Sequence, residues 1–106
     1  MEIKTIAQTL IDAFNNGNKI LICGNGGSAA MSTHLAGELM GKYLKDRKPL
    51  PAISLFDLST FTAIANDYGY EYVFSRQIEA LGKKGDVLIV LSTSGKSQNC
   101  LEAIDK

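Results

Sequence analysis

Within a few positions the chain changes character twice. Ile20-Leu21-Ile22-Cys23 is a continuous apolar run, and Gly24-Asn25-Gly26-Gly27-Ser28 follows it without a spacer. A short apolar run bounded by glycines suits a strand buried on both faces of a parallel sheet. A helical pattern resumes directly afterwards, with Met31, Leu35, Leu39 and Tyr43 as its expected apolar stripe. Strand, glycine loop and helix in immediate succession form the repeating unit of an α/β fold, and this unit limits what the rest of the chain can be.

The flanking segments agree with that frame. Ile3, Ile6, Ala7, Leu10 and Phe14 recur at helical spacing until Asn15-Asn16-Gly17-Asn18 stops the pattern. Pro49 and Pro51 introduce a second strand expected over Ala52 to Phe56. Ser59 to Ala65 and Glu71 to Leu81 read as two helices around the turn Asn66-Asp67-Tyr68-Gly69-Tyr70. Val87 to Leu91 is the clearest strand, and Ser92-Thr93-Ser94-Gly95-Lys96-Ser97 opens a last helix with Cys100, Leu101 and Ile104 facing inward. The expected fold is a three-layer α/β sandwich, a parallel sheet flanked by helices, in one domain over residues 1–106. Three strands make a thin sheet for such a fold, so the chain is expected to be truncated.

Charge and composition exclude several classes of function. Eleven basic residues balance eleven acidic ones, leaving no overall field to attract nucleic acid or an anionic membrane. No stretch approaches the roughly 20 apolar residues that span a bilayer. Glu2, Lys4 and Asp12 interrupt what would be the apolar core of a signal peptide. Cys23 and Cys100 stand apart, in neither a metal-ligand spacing nor a disulfide framework, and read as free thiols. These features lead to the expectation of a soluble, cytoplasmic protein.

Two loops carry the strongest chemical signal. At a helix N-terminus the backbone N–H groups point outward and the aligned peptide dipoles favour an anion. In Gly24–Ser28 the glycines let backbone approach a phosphate and Ser28 offers a hydroxyl; the plainer alternative is a tight turn capped by Ser28. Ser92, Thr93, Ser94 and Ser97 form a second, hydroxyl-rich loop after another strand, which could equally be a serine-capped helix start. Together, at equivalent strand ends, the two loops point to a phosphorylated ligand. A P-loop is excluded because Val90 stands where its first glycine is needed. Gly24-x-Gly26-x-x-Ala29 fits the loose dinucleotide fingerprint. However, its acidic partner should come roughly 20 residues later, and Asp57 comes about 28 residues after Ala29.

His34 and Glu38, four apart on the helix leaving the first loop, share a helical face. Such a pair can ligate a metal, can act as a general base with an imidazole beside it, or can be a surface ion pair. Asp57 falls at a strand end, where it could also cap the next helix, and Asn66-Asp67-Tyr68-Gly69 reads as a helix-ending turn.

Taken in order, Gly24-Asn25-Gly26-Gly27-Ser28, His34-x-x-x-Glu38-Leu39, Asn66-Asp67-Tyr68-Gly69 and Ser92-Thr93-Ser94-Gly95-x-Ser97 resemble the bacterial phosphoheptose isomerases. That family has the sugar-isomerase (SIS) fold, and the match runs through essentially the whole chain as its N-terminal part. The resemblance implies an aldose–ketose isomerase converting sedoheptulose 7-phosphate to D-glycero-D-manno-heptose 7-phosphate, on the way to surface-polysaccharide heptoses. It implies substrate contacts from Asn25, Gly26, Gly27, Asn66, Asp67, Ser92, Thr93, Ser94 and Ser97. It further implies a zinc ion with His34 and Glu38 among its ligands, Glu38 as the proton-abstracting carboxylate, and a homotetramer. In the family a glutamine and a histidine from the C-terminal half complete the site. A chain without that half is expected to be inactive and poorly stable alone. The alternative is a non-catalytic phosphosugar-binding regulatory module of the same fold, which needs both loops but no base.

Overall fold

The computed structural model describes residues 3–41 and 48–91. Helix α1 (Ile3–Asn15) is followed by β1 (Ile20–Gly24), α2 (Gly27–Met40), β2 (Ala52–Ser54), α3 (Leu58–Asp67), α4 (Ser75–Leu81) and β3 (Val87–Leu91), with a 3-10 turn at Tyr70–Tyr72. The strands form a parallel sheet in the order β2-β1-β3. Ile20 stands opposite Ala52 on one side and Val87 on the other, and the β1–β3 ladder ends with Gly24 opposite Leu91.

Alternation along β1 assigns its side chains to two cores. Ile20 and Ile22 face α1 and α2, packing with Ala36, Ala52, Leu10, Phe14, Leu35 and Leu39. Leu21 and Cys23 face the opposite layer, with Leu55, Val73 and Phe74 buried beside them and Phe61, Ile64 and Ile78 packed around. All five β1 residues are buried, as expected of a strand covered on both faces. The β1–β2 connection runs through α2 on one face, and the β2–β3 connection crosses back over β1 on the other. Right-handed crossovers require this change of face when the direction of travel reverses.

α1 ends in a Schellman motif, with Asn18 N–H donating to the Ala13 carbonyl and Gly17 N–H to that of Phe14. Gly17 takes φ +77°, a conformation costly for any residue with a Cβ. At the same edge of the sheet Asp86 ties β1 to β3. Its carboxylate accepts from Lys19 Nζ (2.6 Å), Lys19 N (3.0 Å), Asn18 Nδ2 (3.1 Å) and Lys83 N (2.8 Å). Burial pushes its pKa up, but the Lys19 side chain and the other three donors outweigh that and hold it well below the usual carboxylate range.

Several expectations need correction. In α2 the buried positions are Ser32 and Ala36, whereas Met31 is 64% exposed. Leu35 and Leu39 of the expected stripe are half-buried against the sheet core beside the smaller Ser32 and Ala36, and the Ser32 hydroxyl donates to the Ser28 carbonyl at 2.8 Å. In α1 Ile6 is exposed and Ala13 is buried, with Leu10 and Phe14 of the C-terminal half packing on the sheet. β2 stops at Ser54, short of Phe56, and the expected helix Glu71–Leu81 divides into the 3-10 turn and α4. α3 is longer than expected and carries Asn66 and Asp67 in its last turn. Tyr43, Cys100, Leu101 and Ile104 lie outside the described residues. Cys23 is buried and forms no disulfide. Among the described residues no helix is long and apolar enough to cross a membrane.

Candidate functional site

Open parallel sheets bind ligands beyond the carboxyl ends of their strands, where the strand order reverses direction. Here that point lies between β1 and β3, since β2 flanks β1 on one side and β3 on the other. The final rung of the ladder, Gly24–Leu91, sets the start of the glycine loop beside the residue preceding Ser92, about 4.8 Å away across the ladder. Gly24 is required for this closeness. A Cβ there would lie 2.5 Å from the Leu91 carbonyl oxygen and 2.9 Å from Ser28 Cβ.

α2 begins at Gly27 with Gly26 as its N-cap, at φ +58° and ψ −123°, and no side chain caps it. The alternative of a Ser28-capped helix is therefore not realised; Ser28 is already helical and half-buried, its N–H donating to the Asn25 carbonyl at 3.0 Å. Gly26 and Gly27 are exposed, and a Cβ on either would meet nothing within 4 Å. The start of α2 thus presents open backbone to solvent. Asn25 is held from a distance: Tyr70 donates its hydroxyl hydrogen to Asn25 Oδ1 at 2.8 Å.

Two turns into α2, His34 Nε2 lies 2.6 Å from Glu38 Oε1. The imidazole is 78% exposed and the carboxylate 31%. Both side chains line a groove of about 530 Å³ with Ala30, Met31, Leu35 and Leu91. Leu91 therefore connects this groove to the hydroxyl-rich segment that follows it in sequence. An imidazole nitrogen and a carboxylate oxygen converging from one helical face suit a zinc ion as part of its ligand set. Among the described residues no group of three or more His, Cys, Asp or Glu is placed to hold a metal. The pair thus fits part of a four-coordinate shell and leaves the other positions to donors beyond it.

The remaining candidates separate. Asn66 and Asp67 are exposed at the end of α3, bonded to each other through Nδ2 and Oδ1 at 3.2 Å. They stand three and four residues before Tyr70 in sequence. Asp57 caps α3, accepting from Thr60 Oγ1 (2.8 Å) and Thr60 N (3.1 Å). These bonds, the hydroxyl's first, hold its carboxyl below the usual range. The capping role accounts for Asp57. Ser92, Thr93, Ser94 and Ser97 lie outside the described residues. Sequence reasoning missed Tyr70 as a partner of Asn25, and Met31 and Leu91 as groove walls. No local pattern marks any of the three.

A family model described as SIS domain matches residues 1–106. The phosphoheptose isomerase of Campylobacter concisus is 56% identical over 103 residues, covering 96% of this chain and 54% of the relative. That of Helicobacter pylori is 59% identical over 105 residues, covering 98% and 55%. A solved phosphoheptose isomerase from Francisella tularensis superposes with a TM-score of 0.93 at 40% identity, covering 97% of this chain and 55% of that one. The chain spans about half the length of the curated relatives it matches.

Proposed function

This chain belongs to the SIS domain family, and we propose that the protein isomerises sedoheptulose 7-phosphate to D-glycero-D-manno-heptose 7-phosphate. The observation that carries the proposal is the groove shared by His34, Glu38 and Leu91. It brings a carboxylate and an imidazole beside Leu91, the residue that precedes the hydroxyl-rich segment in sequence. Two of the phosphoheptose isomerases to which the chain is similar match it at over half of the aligned positions, and a solved one shares its fold.

In this reading the phosphate is held by the open backbone of Gly26 and Gly27, by Asn25 and Ser28, and by Ser92, Thr93, Ser94 and Ser97. Asn66 and Asp67 contact sugar hydroxyls. Anchoring the phosphate far from the reacting carbons fixes the carbonyl end relative to Glu38 and replaces a bimolecular encounter with an oriented one. Glu38 removes a proton from the hydroxymethyl carbon beside the ketone and returns it to the former carbonyl carbon, while the hydroxyl proton passes from the first oxygen to the second, so that ketose becomes aldose without net redox change. His34 and Glu38 would contribute to holding zinc, which when bound polarises the carbonyl and stabilises the negative charge that develops on it. His34 Nε2 rests 2.6 Å from Glu38 Oε1, a contact that metal coordination would replace.

A homotetramer in the cytoplasm, feeding heptose to surface-glycan synthesis, belongs to the same proposal. The test is a proton NMR time course of the full-length protein in heavy water with sedoheptulose 7-phosphate and zinc. Deuterium incorporation beside the carbonyl, with aldose signals growing in, is the expected result. Line-broadening of the sugar phosphate without exchange would replace the isomerase with a non-catalytic phosphosugar-binding module.

A further inference from the structure

Between the last rung of β1 at Gly24 and the start of α2 at Gly27, Asn25 and Gly26 make the bend; Gly26 sits at positive φ, and no side chain caps the helix. A loop of this kind loses entropy when it closes on a ligand, unless something outside it has already fixed its shape.

The 2.8 Å bond from Tyr70 to Asn25 supplies an outside anchor, linking residues 45 apart in sequence. The anchor itself is rigid. Tyr70 packs edge-on against Phe61, with ring centroids 5.8 Å apart. Phe61 in turn lies 5.9 Å from both Phe56 and Phe74, and Phe74 is fully buried. A continuous line of rings therefore runs from the core on the α3/α4 face of the sheet to the side chain of Asn25. The backbone cooperates, since Tyr70 opens the 3-10 turn closed by Val73 N–H donating to its carbonyl at 3.3 Å.

The direction of the bond has a chemical consequence. A phenol that donates fixes the Asn25 amide with its oxygen toward Tyr70, so the N–H edge must face the other way. On an anion-binding loop the N–H edge is the useful one, because a phosphate oxygen can only accept.

We propose that Tyr70 is a positioning residue for the ligand loop: its hydroxyl sets the orientation of the Asn25 amide and, through it, the resting shape of Gly24–Ser28. This rests on the assignment of that loop to phosphate binding. It also gives the Asn66–Tyr70 turn a role besides that of Asn66 and Asp67 themselves, since movement of the turn would be felt at the loop.

The experiment uses the full-length protein and the variants Tyr70→Phe, Asn25→Ala and their combination. The first readout needs no turnover: 15N-resolved amide spectra of Asn25 to Ser28 in the absence of ligand. In Tyr70→Phe the Asn25 side-chain amide and the loop N–H signals should shift or broaden, with the melting temperature unchanged because the half-exposed hydroxyl carries no core packing. The second readout is steady-state kinetics with sedoheptulose 7-phosphate. KM should rise roughly 3- to 10-fold in Tyr70→Phe, the range of a single neutral hydrogen bond, with kcat held within about twofold. In the Asn25→Ala background, Tyr70→Phe should have no further effect on KM. Unchanged loop spectra in Tyr70→Phe, or additive KM effects in the double variant, would overturn the proposal. A wild-type protein that does not turn over the heptose phosphate would overturn the isomerase assignment, and the spectra would still decide the role of Tyr70.

Discussion

Replacing Asp86 with asparagine exchanges one oxygen for an NH2 group at almost constant volume, which makes it a clean probe of how the edge of the sheet remote from the site is held. The carboxylate is 8% exposed and accepts from four donors, two on each oxygen. An asparagine offers one acceptor oxygen, so two donors lose their partner and face another donor whichever way the amide turns. Hydrogen bonds to a charged group contribute about 1.5–3 kcal/mol each. Lys19 and Lys83 can recover water at the surface, which reduces the loss to about 2–4 kcal/mol, a large fraction of the 5–15 kcal/mol typical of a domain. Because the folded pKa is depressed, the contribution is fully present above the unfolded aspartate value of about 3.9 and fades as pH falls through the folded value. Urea titrations followed by far-UV circular dichroism should therefore show a constant gap between wild type and Asp86→Asn from pH 5 to 8, narrowing only below about pH 4. A gap under about 1 kcal/mol at pH 7, or one that varies between pH 5 and 8, would refute the four-donor account.

Three further outcomes are expected. Gly24→Ala forces a methyl to within 2.5 Å of the Leu91 carbonyl, so β3 or α2 must shift, at about 1–3 kcal/mol, the range for overpacking. Thermal melts should drop by roughly 5–15 °C. Phe74→Ala removes the fully buried ring on which Phe56 and Phe61 pack, at about 3–5 kcal/mol, and chemical denaturation of the variant should show a largely unfolded chain at low denaturant. In the full-length protein, Glu38→Gln should retain binding of the sugar phosphate by titration calorimetry while deuterium exchange falls at least about 10²-fold, the usual contribution of a positioned base; unchanged exchange would remove Glu38 from that role.

The parts of the fold legible in the sequence are those where one local rule dominates. Ile20–Cys23 has no polar residue to divide its faces, and burial on both faces followed. The sequence around Asn15–Asn18 is a helix stop for steric reasons that need no tertiary context, and Gly17 takes the C′ position. The stripe of α2 was legible only in part: Leu35 and Leu39 pack on the sheet core, whereas Met31 is exposed and the most buried positions are Ser32 and Ala36, which a count of large apolar residues passes over. A buried serine whose hydroxyl bonds to the preceding turn is indistinguishable, in a hydropathy pattern, from a solvated one. The break between Tyr72 and Ser75 was hidden for a related reason. Val73 and Phe74 are pulled fully into the core, and an i, i+4 pattern does not reveal that such burial has interrupted the helix.

For the site the division falls between spacing within an element and contact across elements. His34 and Glu38 could be paired from their separation alone, because a helix turns four residues into one face, and the structure sets them 2.6 Å apart. The pairing of the two strand ends needed one more step. Once β1 is taken as the central strand, a chain that places β2 on one side must place β3 on the other, and the Gly24–Leu91 rung follows from the register. Tyr70 lay beyond reach, since nothing in Tyr68-Gly69-Tyr70-Glu71-Tyr72 distinguishes the tyrosine that touches Asn25 from its two neighbours. Its selection depends on Gly69, whose φ of +121° and ψ of 151° turn the chain after α3, and on Phe61, one turn into α3, which meets the ring. Residues that bind a ligand tend to carry a signature in type and spacing. A residue that holds them in place needs only to arrive at the right distance, so the sequence records it as an ordinary tyrosine.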